Sequence, residues 1–464
     1  MTEVITEPGF VRKGLLRLSW PLLLVTVFTL LATLGNVVLL SQASPELNAA
    51  VATANQVLGV LYDLSVLFSL GALVVVSQLL GARSFAAARR ATVIALRASS
   101  LLGIGLALFV ALAGPVVLVA LNTPSEILDD ATTYLWIVAL GLAFNAYIVA
   151  ATAVLRAYGR TVALLVLGIL VNLLDVALLG VLLFVFDLGV VAAALPTLVV
   201  RGLGVGLLWW LVRRRTGARV LAALPPREPG TPGGVVMAKL SIPTVLENGS
   251  YNLAIVLVVS LINLLGTDVI NARSYALTLT ALVTGVILAL AQGNETIVGW
   301  DVGERSLGNA RLLTLRTAAG TAAVAALLAA LLWLGADPLL SVFGANPAVV
   351  AGARQALAIS ILLLPLSAVT GVVYGALRSA GDVLIPMVYS VGTSVAVLVP
   401  VSWLLIQVLG LGLSGAFWGL VAAEAVKAAL LTHRWWGARW AARANLVSAE
   451  PDAASRTQPV ADPA

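Results

Sequence analysis

Acidic residues within long apolar runs are the positions of this sequence that could do chemistry. Asp175 follows Asn172 by three residues inside one such run. This spacing puts both side chains on one face of a helix, where a carboxylate and an amide could together bind a proton or a metal cation. A charge in hydrocarbon costs at least about 2.5–3.5 kcal/mol, so its retention indicates either a function or a polar partner inside a helix bundle. Both interpretations stay open for this pair.

A second polar group surrounds Glu247. Asn248, Ser250 and Asn252 follow it closely and supply oxygen atoms of the kind that hard cations prefer. Glu247 is therefore a second candidate for cation coupling, and Asn248 and Asn252 are candidates for lining a solute cavity. The alternative is that Glu247 packs against a loop or pairs with an arginine.

Tyr62 and Asp63 are adjacent polar residues in another apolar run. Asp63 could add a carboxylate to a cavity, and the Tyr62 ring could stack on an organic cation. Glu295 lies deep enough in its own run to line the same cavity. Asp301 is nearer the end of that run and is predicted to be solvated beside Arg305.

Arg201 and Glu424 are two further charges within apolar runs, at nearly equivalent positions in two similar parts of the chain. They are predicted to form a structural ion pair or to extend separately towards the membrane surfaces. Among these candidate charges, acids outnumber bases, since Arg201 is the one base. This excess favours cationic or neutral organic solutes over anionic ones.

Composition excludes several other kinds of chemistry. The chain has no cysteine and a single histidine, His433, which excludes thiolate chemistry and argues against an imidazole metal site. It has no phosphate-binding G-x-x-x-x-G-K-[ST] motif. We therefore predict neither an enzyme nor a cofactor, and the acidic positions leave Na⁺ as the metal ion to consider. The net charge of +6 comes from clusters between apolar runs, so nucleic acid is not a predicted partner.

The elements that hold these residues must be membrane helices. Hydrophobic residues make up 61% of the 464 positions and charged residues only 10%, whereas about a quarter of a soluble domain is charged. Twelve apolar segments are each long enough to cross a bilayer, which takes roughly 20 residues. Basic residues concentrate in alternate connections, among which we count Arg156 and Arg378. Both termini are therefore predicted to face the cytoplasm, with the protein in the plasma (inner) membrane.

An internal repeat divides the chain. Three blocks recur at a displacement of 222 residues: 18–21 with 240–243, 81–84 with 303–306, and 155–159 with 377–381. Six helices in each half return the chain to the side where it began, so an axis along the membrane normal relates the halves. Gly81 and Gly303 end equivalent helices and are predicted to cap them.

The predicted fold is an all-α polytopic membrane protein, with twelve transmembrane helices in two parallel-repeat six-helix bundles around a central cavity. The predicted divisions are a cytoplasmic N-terminus (1–16), an N-lobe (17–212), a cytoplasmic linker rich in Pro and Gly (213–238), a C-lobe (239–436) and a disordered cytoplasmic tail (437–464).

The order and spacing of the motifs resemble the multidrug and toxic compound extrusion (MATE) family. The motifs are a proline-bearing first helix, V-S-Q-x-x-G-A at 76–82, V-G-x-x-x-G at 298–303 and L-R-A-x-G at 155–159. The resemblance implies an antiporter that exports an amphipathic, often cationic, organic compound in exchange for H⁺ or Na⁺. The predicted partners are that solute and membrane lipid, with no obligatory protein partner. The wider superfamily also includes flippases for lipid-linked saccharides, an alternative that would require a cavity lined by cations.

The resemblance also implies roles for particular residues. In one branch of the family an aspartate of the first helix acts with an Asn/Asp pair in the fifth, which Asn172 and Asp175 resemble. Asn36 stands near the place of the first-helix aspartate and cannot titrate. A second branch couples through a glutamate of the seventh helix, and Glu247 lies about one turn nearer the cytoplasm than that position.

Overall fold

The computed structural model describes residues 5–7, 10–43, 45–120, 123–186, 188–222, 224, 232–341 and 346–443, and nearly all of them are helical. Over these ranges, twelve helical spans are long and apolar enough to cross a membrane, as the composition predicts. Hydrocarbon offers the backbone no hydrogen-bond partners, so runs of this kind form continuous helices. Within the predicted linker, residues 223 and 225–231 lie outside the described residues. So do residues 444–464 of the predicted tail.

The N-lobe contains the first six spans, and its second span is broken at Val66. There the Ser65 hydroxyl donates to the Tyr62 carbonyl oxygen and the Ser69 hydroxyl to that of Val66, both at 2.7 Å. These bonds occupy carbonyl oxygens at the break between the two helices. The helices are α1 (Leu15–Ala43), α2 (Pro45–Ser65), α3 (Leu67–Gly81), α4 (Phe85–Ala120), α5 (Ser125–Ala157), α6 (Thr161–Phe184) and α7 (Gly189–Thr216).

The C-lobe contains the other six spans. Its helices are α8 (Gly234–Asn263), α9 (Thr267–Gly303), α10 (Leu307–Leu334), α11 (Ala336–Ser341), α12 (Pro347–Ser379), α13 (Leu384–Thr393), α14 (Val399–Trp403) and α15 (Gly412–Trp436). The π-helical segment Ser394–Leu398 joins α13 to α14, and a second one, Leu404–Val408, continues the same span beyond α14. The Asn346 side chain accepts the Val349 N–H at 2.9 Å and a proline follows it, which together define the start of α12.

Each lobe is built around one long helix. In the N-lobe α5 packs against α2, α4 and α7, and in the C-lobe α12 packs against α9, α10 and α15. The lobes meet where α3 contacts α8 and α9 and where α1 contacts α9. We call the end of the bundle that carries the linker and the ends of α3 and α9 the linker side.

The ends of α3 and α9 cross with their backbones in contact. A Cβ atom on Gly81 would lie 2.1 Å from the carbonyl oxygen of Trp300. A Cβ atom on Gly303 would lie 1.9 Å from the carbonyl oxygen of Gln78. Only glycine permits so close an approach. The repeat displacement turns 78 into 300 and 81 into 303, so the two contacts are reciprocal about the axis between the lobes.

The prediction that Gly81 and Gly303 cap their helices is wrong. Both are the last helical residues, and the left-handed conformation falls two positions later at Arg83 (φ 58°) and Arg305 (φ 61°). The glycines are needed for the contact between the helices, and the turns form without glycine.

The N-terminal segment takes part in the fold, although residues 1–16 are predicted to be a cytoplasmic N-terminus outside the lobes. Ile5–Glu7 (β1) pairs antiparallel with Phe10–Val11 (β2). The buried Phe10 ring meets the Trp300 ring edge-on, with centroids 5.4 Å apart, and the Val11 N–H donates to the Tyr158 carbonyl oxygen at 3.2 Å. This segment therefore contacts both lobes on the linker side.

The chain also stays folded beyond the predicted C-lobe boundary at 436. Ala438–Arg443 forms a 3₁₀-helix. Its Trp440 ring is buried and stacks on Trp435 with centroids 4.2 Å apart. The helices that flank the predicted linker likewise extend into it, to Thr216 and from Gly234.

Replacing Gly81 with alanine should hold the lobes apart on the linker side, because the new methyl group cannot coexist with the Trp300 carbonyl. Since the chain has no cysteine, a single Ser379→Cys substitution at a buried position can report access to this junction. We expect labelling by an impermeant maleimide to be about tenfold faster in the Gly81→Ala variant, a population shift of about 1.4 kcal/mol. Gly320→Ala is the matched control because no atom lies within 4 Å of its Cβ position. Equal labelling rates in all three backgrounds would contradict a role of this contact in closure.

Candidate functional site

A cavity of about 510 Å³ in the N-lobe contains the principal acidic candidate, Asp175. The Asn36 Nδ2 atom donates to an Asp175 carboxylate oxygen at 2.7 Å, so the structure brings these two predicted residues together. Asn36 Oδ1 is buried and has no hydrogen-bond partner among the described residues. A carboxylate and an unpartnered amide oxygen thus lie side by side, an arrangement that suits a hard cation.

Arg201 lines the same cavity and interacts with Tyr62. Its Nη1 atom donates to the Tyr62 hydroxyl at 2.7 Å, and its guanidinium lies 4.7 Å from the centre of the ring. A protein cation therefore already occupies the ring that was predicted to receive a solute cation. Asn172 also lines the cavity, but its amide donates a hydrogen bond to the Thr29 hydroxyl of α1 at 3.2 Å and not to Asp175.

Asp63 lies outside the Asp175 cavity. Its side chain is exposed at the junction of the lobes, where the Asn252 amide of α8 donates to it at 3.3 Å. It therefore does not supply a second carboxylate beside Asn36. Its contact with Asn252 instead joins the two lobes.

Glu247 has a partner within the C-lobe. The Ser390 hydroxyl of α13 donates to its carboxylate at 2.6 Å. Asn248 beside it is exposed. The oxygen-rich cluster predicted around Glu247 is thus reduced to one contact, and over the described residues no group of three or more acidic or histidine side chains is placed to hold a metal ion.

Neither arrangement predicted for Arg201 and Glu424 occurs. Glu424 pairs with Lys427 at 2.8 Å one turn along α15, while Arg201 binds Tyr62. Each charge has found a partner in its own lobe, where the backbone holds the partner in reach. Lys427 is buried and was missed from the sequence, although its spacing of three from Glu424 was the available signal.

Glu295 lies at the junction of the lobes between two arginines. Arg378 Nε donates to one carboxylate oxygen at 2.7 Å, and Arg156 Nη2 lies 3.7 Å from the other. Arg156 Nη1 donates to the Gln292 side chain at 2.5 Å. The prediction that Arg156 and Arg378 belong to connections is wrong, since both turn inward from the last turns of α5 and α12. Their shared place in the repeated L-R block was the signal of a common role.

Asp301 is buried, contrary to the prediction that it is solvated beside Arg305. Arg12 reaches across from the N-terminal segment and binds Asp301 and Glu304, each at 2.5 Å. The Asp301 side chain is only 4% exposed, whereas that of Arg12 is 42% exposed. A surface arginine therefore neutralises a buried carboxylate of α9.

Further hydrogen bonds close the same end of the molecule. The Gln78 amide donates to the Ser379 carbonyl oxygen at 2.7 Å, and the Trp300 indole donates to the Ala157 carbonyl oxygen at 2.8 Å. Both bonds cross from one lobe to the other. The structure is thus closed on the linker side.

The sequence is similar to those of known membrane transporters. The MatE family model matches residues 21–181 and 243–404, two ranges that begin 222 residues apart. "Uncharacterized transporter YisQ" of Bacillus subtilis is 25% identical over 446 residues, which cover 95% of this chain and 97% of that protein. "Probable multidrug resistance protein NorM" of Thermotoga maritima is 22% identical over 444 residues, which cover 94% of each.

Solved structures share the fold. An outward-facing multidrug resistance MATE family transporter of the MOP superfamily superposes with a TM-score of 0.83 at 20% identity, over 92% of this chain and 95% of that one. A MOP superfamily transporter from Pyrococcus furiosus, described as having a binding pocket of reverse polarity, superposes with a TM-score of 0.83 at 19% identity and the same coverage. Fold and cavities together define a two-lobed, twelve-helix membrane transporter. The family model matches more than half of the chain, so the chain belongs to the MATE family, as its motifs predicted.

Removing the Arg12 side chain should favour opening on the linker side, because Asp301 would remain buried without its partner. A partly exposed ion pair contributes up to about 1 kcal/mol, so we expect the ratio of open to closed molecules to rise roughly fivefold. The measurement is maleimide labelling of Ser379→Cys in an Arg12→Ala background. Arg17→Ala is the control, since it removes a nearby exposed arginine. Faster labelling in both variants would indicate a general loss of surface charge, and no change in either would show that Arg12 does not hold the junction.

Proposed function

We propose that this chain is a secondary active antiporter that exports amphipathic organic compounds in exchange for H⁺ or Na⁺, with Asp175 as the coupling carboxylate. The observation that carries the proposal is the pairing of Asp175 with Asn36 in an N-lobe cavity, beside an amide oxygen that lacks a partner. Family membership supports a transporter of the multidrug efflux type.

Cation binding to Asp175 would change the balance of charge in its cavity. Arg201 shares the cavity, so the ionised carboxylate and the guanidinium balance one another. A proton on Asp175 would remove that balance, whereas Na⁺ would use the carboxylate and the free Asn36 oxygen. In either case the cation shifts the equilibrium between two conformations only if it binds one of them more tightly.

Alternating access then requires the linker side to open. The contacts that must break are those that cross between the lobes, among them the bonds of Arg12 with α9 and of Gln78 with α12. The concentration of arginines on the linker side supports a cytoplasmic position for this side, in a protein of the plasma membrane. The closed linker side would then make this an outward-facing state.

The side-chain positions change the prediction of the charge of the exported compound. The expectation of a cationic solute depended on an excess of acids among the candidate charges in the apolar runs. Arg156, Arg378 and Lys427 also point into the interior, so that excess no longer supports a preference. The same arginines favour the second candidate, an exporter of a lipid-linked saccharide or another anionic lipid-like compound, because such a substrate would need cations in the cavity.

Transport by purified protein in liposomes tests the antiporter. A cationic and an anionic fluorescent amphiphile are tested separately, each under an imposed pH gradient or an imposed Na⁺ gradient. We expect one gradient to drive transport of at least one probe, and Asp175→Asn to reduce this transport about tenfold or more because the carboxylate is lost.

Two matched variants complete the design. Asp63→Asn removes an exposed carboxylate and should retain gradient-driven transport. Glu247→Gln should also retain it, since a glutamine oxygen can still accept the Ser390 hydroxyl. Loss in Glu247→Gln but not in Asp175→Asn would move the coupling site to the C-lobe. If neither gradient drives either probe, the antiporter proposal fails.

A further inference from the structure

We infer that Arg156, Arg378 and Glu295 form an anion-binding subsite, and that the exported compounds include amphiphiles with a carboxylate, sulfonate or phosphate head and an apolar body. This inference rests on the proposed transport function and names a substrate class for it.

The cluster carries one more positive charge than negative. Arg156 and Arg378 are equivalent positions of the internal repeat, so duplication supplied the guanidinium twice. The position equivalent to Glu295 is Leu73, so the carboxylate occurs once. A single acid therefore lies between two bases.

Two other acids of the C-lobe have basic partners of their own. Glu424 binds Lys427 at 2.8 Å, and Asp301 binds Arg12. Glu247 accepts the neutral Ser390 hydroxyl and keeps its charge, but among the described residues it forms no ion pair with either arginine. The two guanidinium groups therefore share one carboxylate as a direct partner, that of Glu295.

The arginines, rather than the carboxylate, face the open space. Their side chains are 13% and 16% exposed for Arg156 and Arg378, whereas that of Glu295 is 2% exposed. Arg156 Nε is buried and has no hydrogen-bond partner among the described residues. An approaching anion therefore meets guanidinium groups, and one guanidinium can bind two oxygen atoms of a carboxylate or phosphate at once.

The surroundings suit the rest of an amphiphile. All three residues line a cavity of about 600 Å³ between the lobes, whose other walls are mostly aliphatic side chains with a few hydroxyl and amide groups; examples are Leu22, Val25, Ile148 and Thr152. Arg378 and Glu295 also line the C-lobe cavity of about 420 Å³. An apolar body can thus be buried beside the charged head, which is the usual composition of a small-molecule site.

The subsite also lies where the lobes separate. Arg156 belongs to the N-lobe, and Arg378 with Glu295 to the C-lobe. An anion that binds both guanidinium groups therefore joins the lobes, and the subsite is complete only while the linker side is closed.

Binding of matched fluorescent amphiphiles to the full chain in phosphatidylcholine nanodiscs tests the inference. The probes are dansylaminoundecanoate and its analogue with a trimethylammonium head. We expect the carboxylate probe to bind more tightly than the cationic one, and Arg156→Gln or Arg378→Gln to weaken its binding about tenfold or more, because each removes a charge-assisted donor. Arg354→Gln removes an exposed arginine from the same helix as Arg378 and should leave binding unchanged.

Glu295→Gln distinguishes a binding role from a structural one. Removing the acid leaves both guanidinium groups unbalanced, so the carboxylate probe should bind several-fold more tightly while the cationic probe does not. Weaker binding in Glu295→Gln as in the arginine variants would overturn the inference. If thermal unfolding shows that an Arg→Gln variant is not folded, Arg156→Lys is used instead, because it keeps the charge and should retain most of the anion binding. Loss of binding in a folded Arg156→Lys variant would also overturn the inference.

A second arm separates two sources of the anion. Replacing part of the lipid with phosphatidylglycerol should compete with the probe if a lipid headgroup takes the site, and this competition should disappear in Arg156→Gln and persist in Arg354→Gln. Competition that persists in Arg156→Gln acts only at the membrane surface. Unchanged binding would assign the site to amphiphiles from the aqueous phase. If the carboxylate probe does not bind better than the cationic probe while gradient-driven transport is intact, the subsite is wrong and the antiporter proposal stands.

Discussion

The backbone contact between α3 and α9 is the constraint on which the rest of the structure depends. Helices with side chains between them pack with axes about 8–10 Å apart, and the glycines at 81 and 303 remove those side chains where the helices cross. The close approach shuts the linker side. It also brings Arg156 of one lobe within 3.7 Å of Glu295 of the other. The contact of Arg156 with Glu295, which crosses between the lobes, therefore forms because the two backbones touch.

Closure decides which buried charges keep a partner when the lobes move. Separation breaks the pair of Arg12 with Asp301, which contributes up to about 1 kcal/mol because the arginine is partly exposed. Glu295 differs, since Arg378 lies in its own lobe and stays bound to it. The junction thus combines contacts that open with contacts that persist. Asp175 and Asn36 sit apart from this junction, within a single lobe, so their contact does not depend on closure.

Much of the architecture could be predicted from the sequence because it follows from one-dimensional patterns. Apolar length predicted the spans, and a constant displacement predicted the two halves. The family resemblance placed Asn36 near the missing first-helix aspartate, but its hydrogen bond with Asp175 was not predicted. Partners of charged side chains could not be predicted in the same way. Arg156 occupies the last turn of its helix, from which a long side chain can reach either water or the interior, and only the packing of α9 decides between them. The structural role of Arg12 was hidden because it joins segments almost 300 residues apart.

The reciprocal contacts of Gly81 and Gly303 have an evolutionary consequence. Each glycine touches the residue that is equivalent to the one its counterpart touches, which is the pattern of an isologous interface in a symmetric homodimer. The crossing therefore preserves the geometry that two copies of a six-helix ancestor would have formed before their genes fused. Leu73 and Glu295 mark where that symmetry was lost. A single chain can carry an acid at one of two equivalent positions and an aliphatic side chain at the other, a difference that a dimer of identical subunits cannot have.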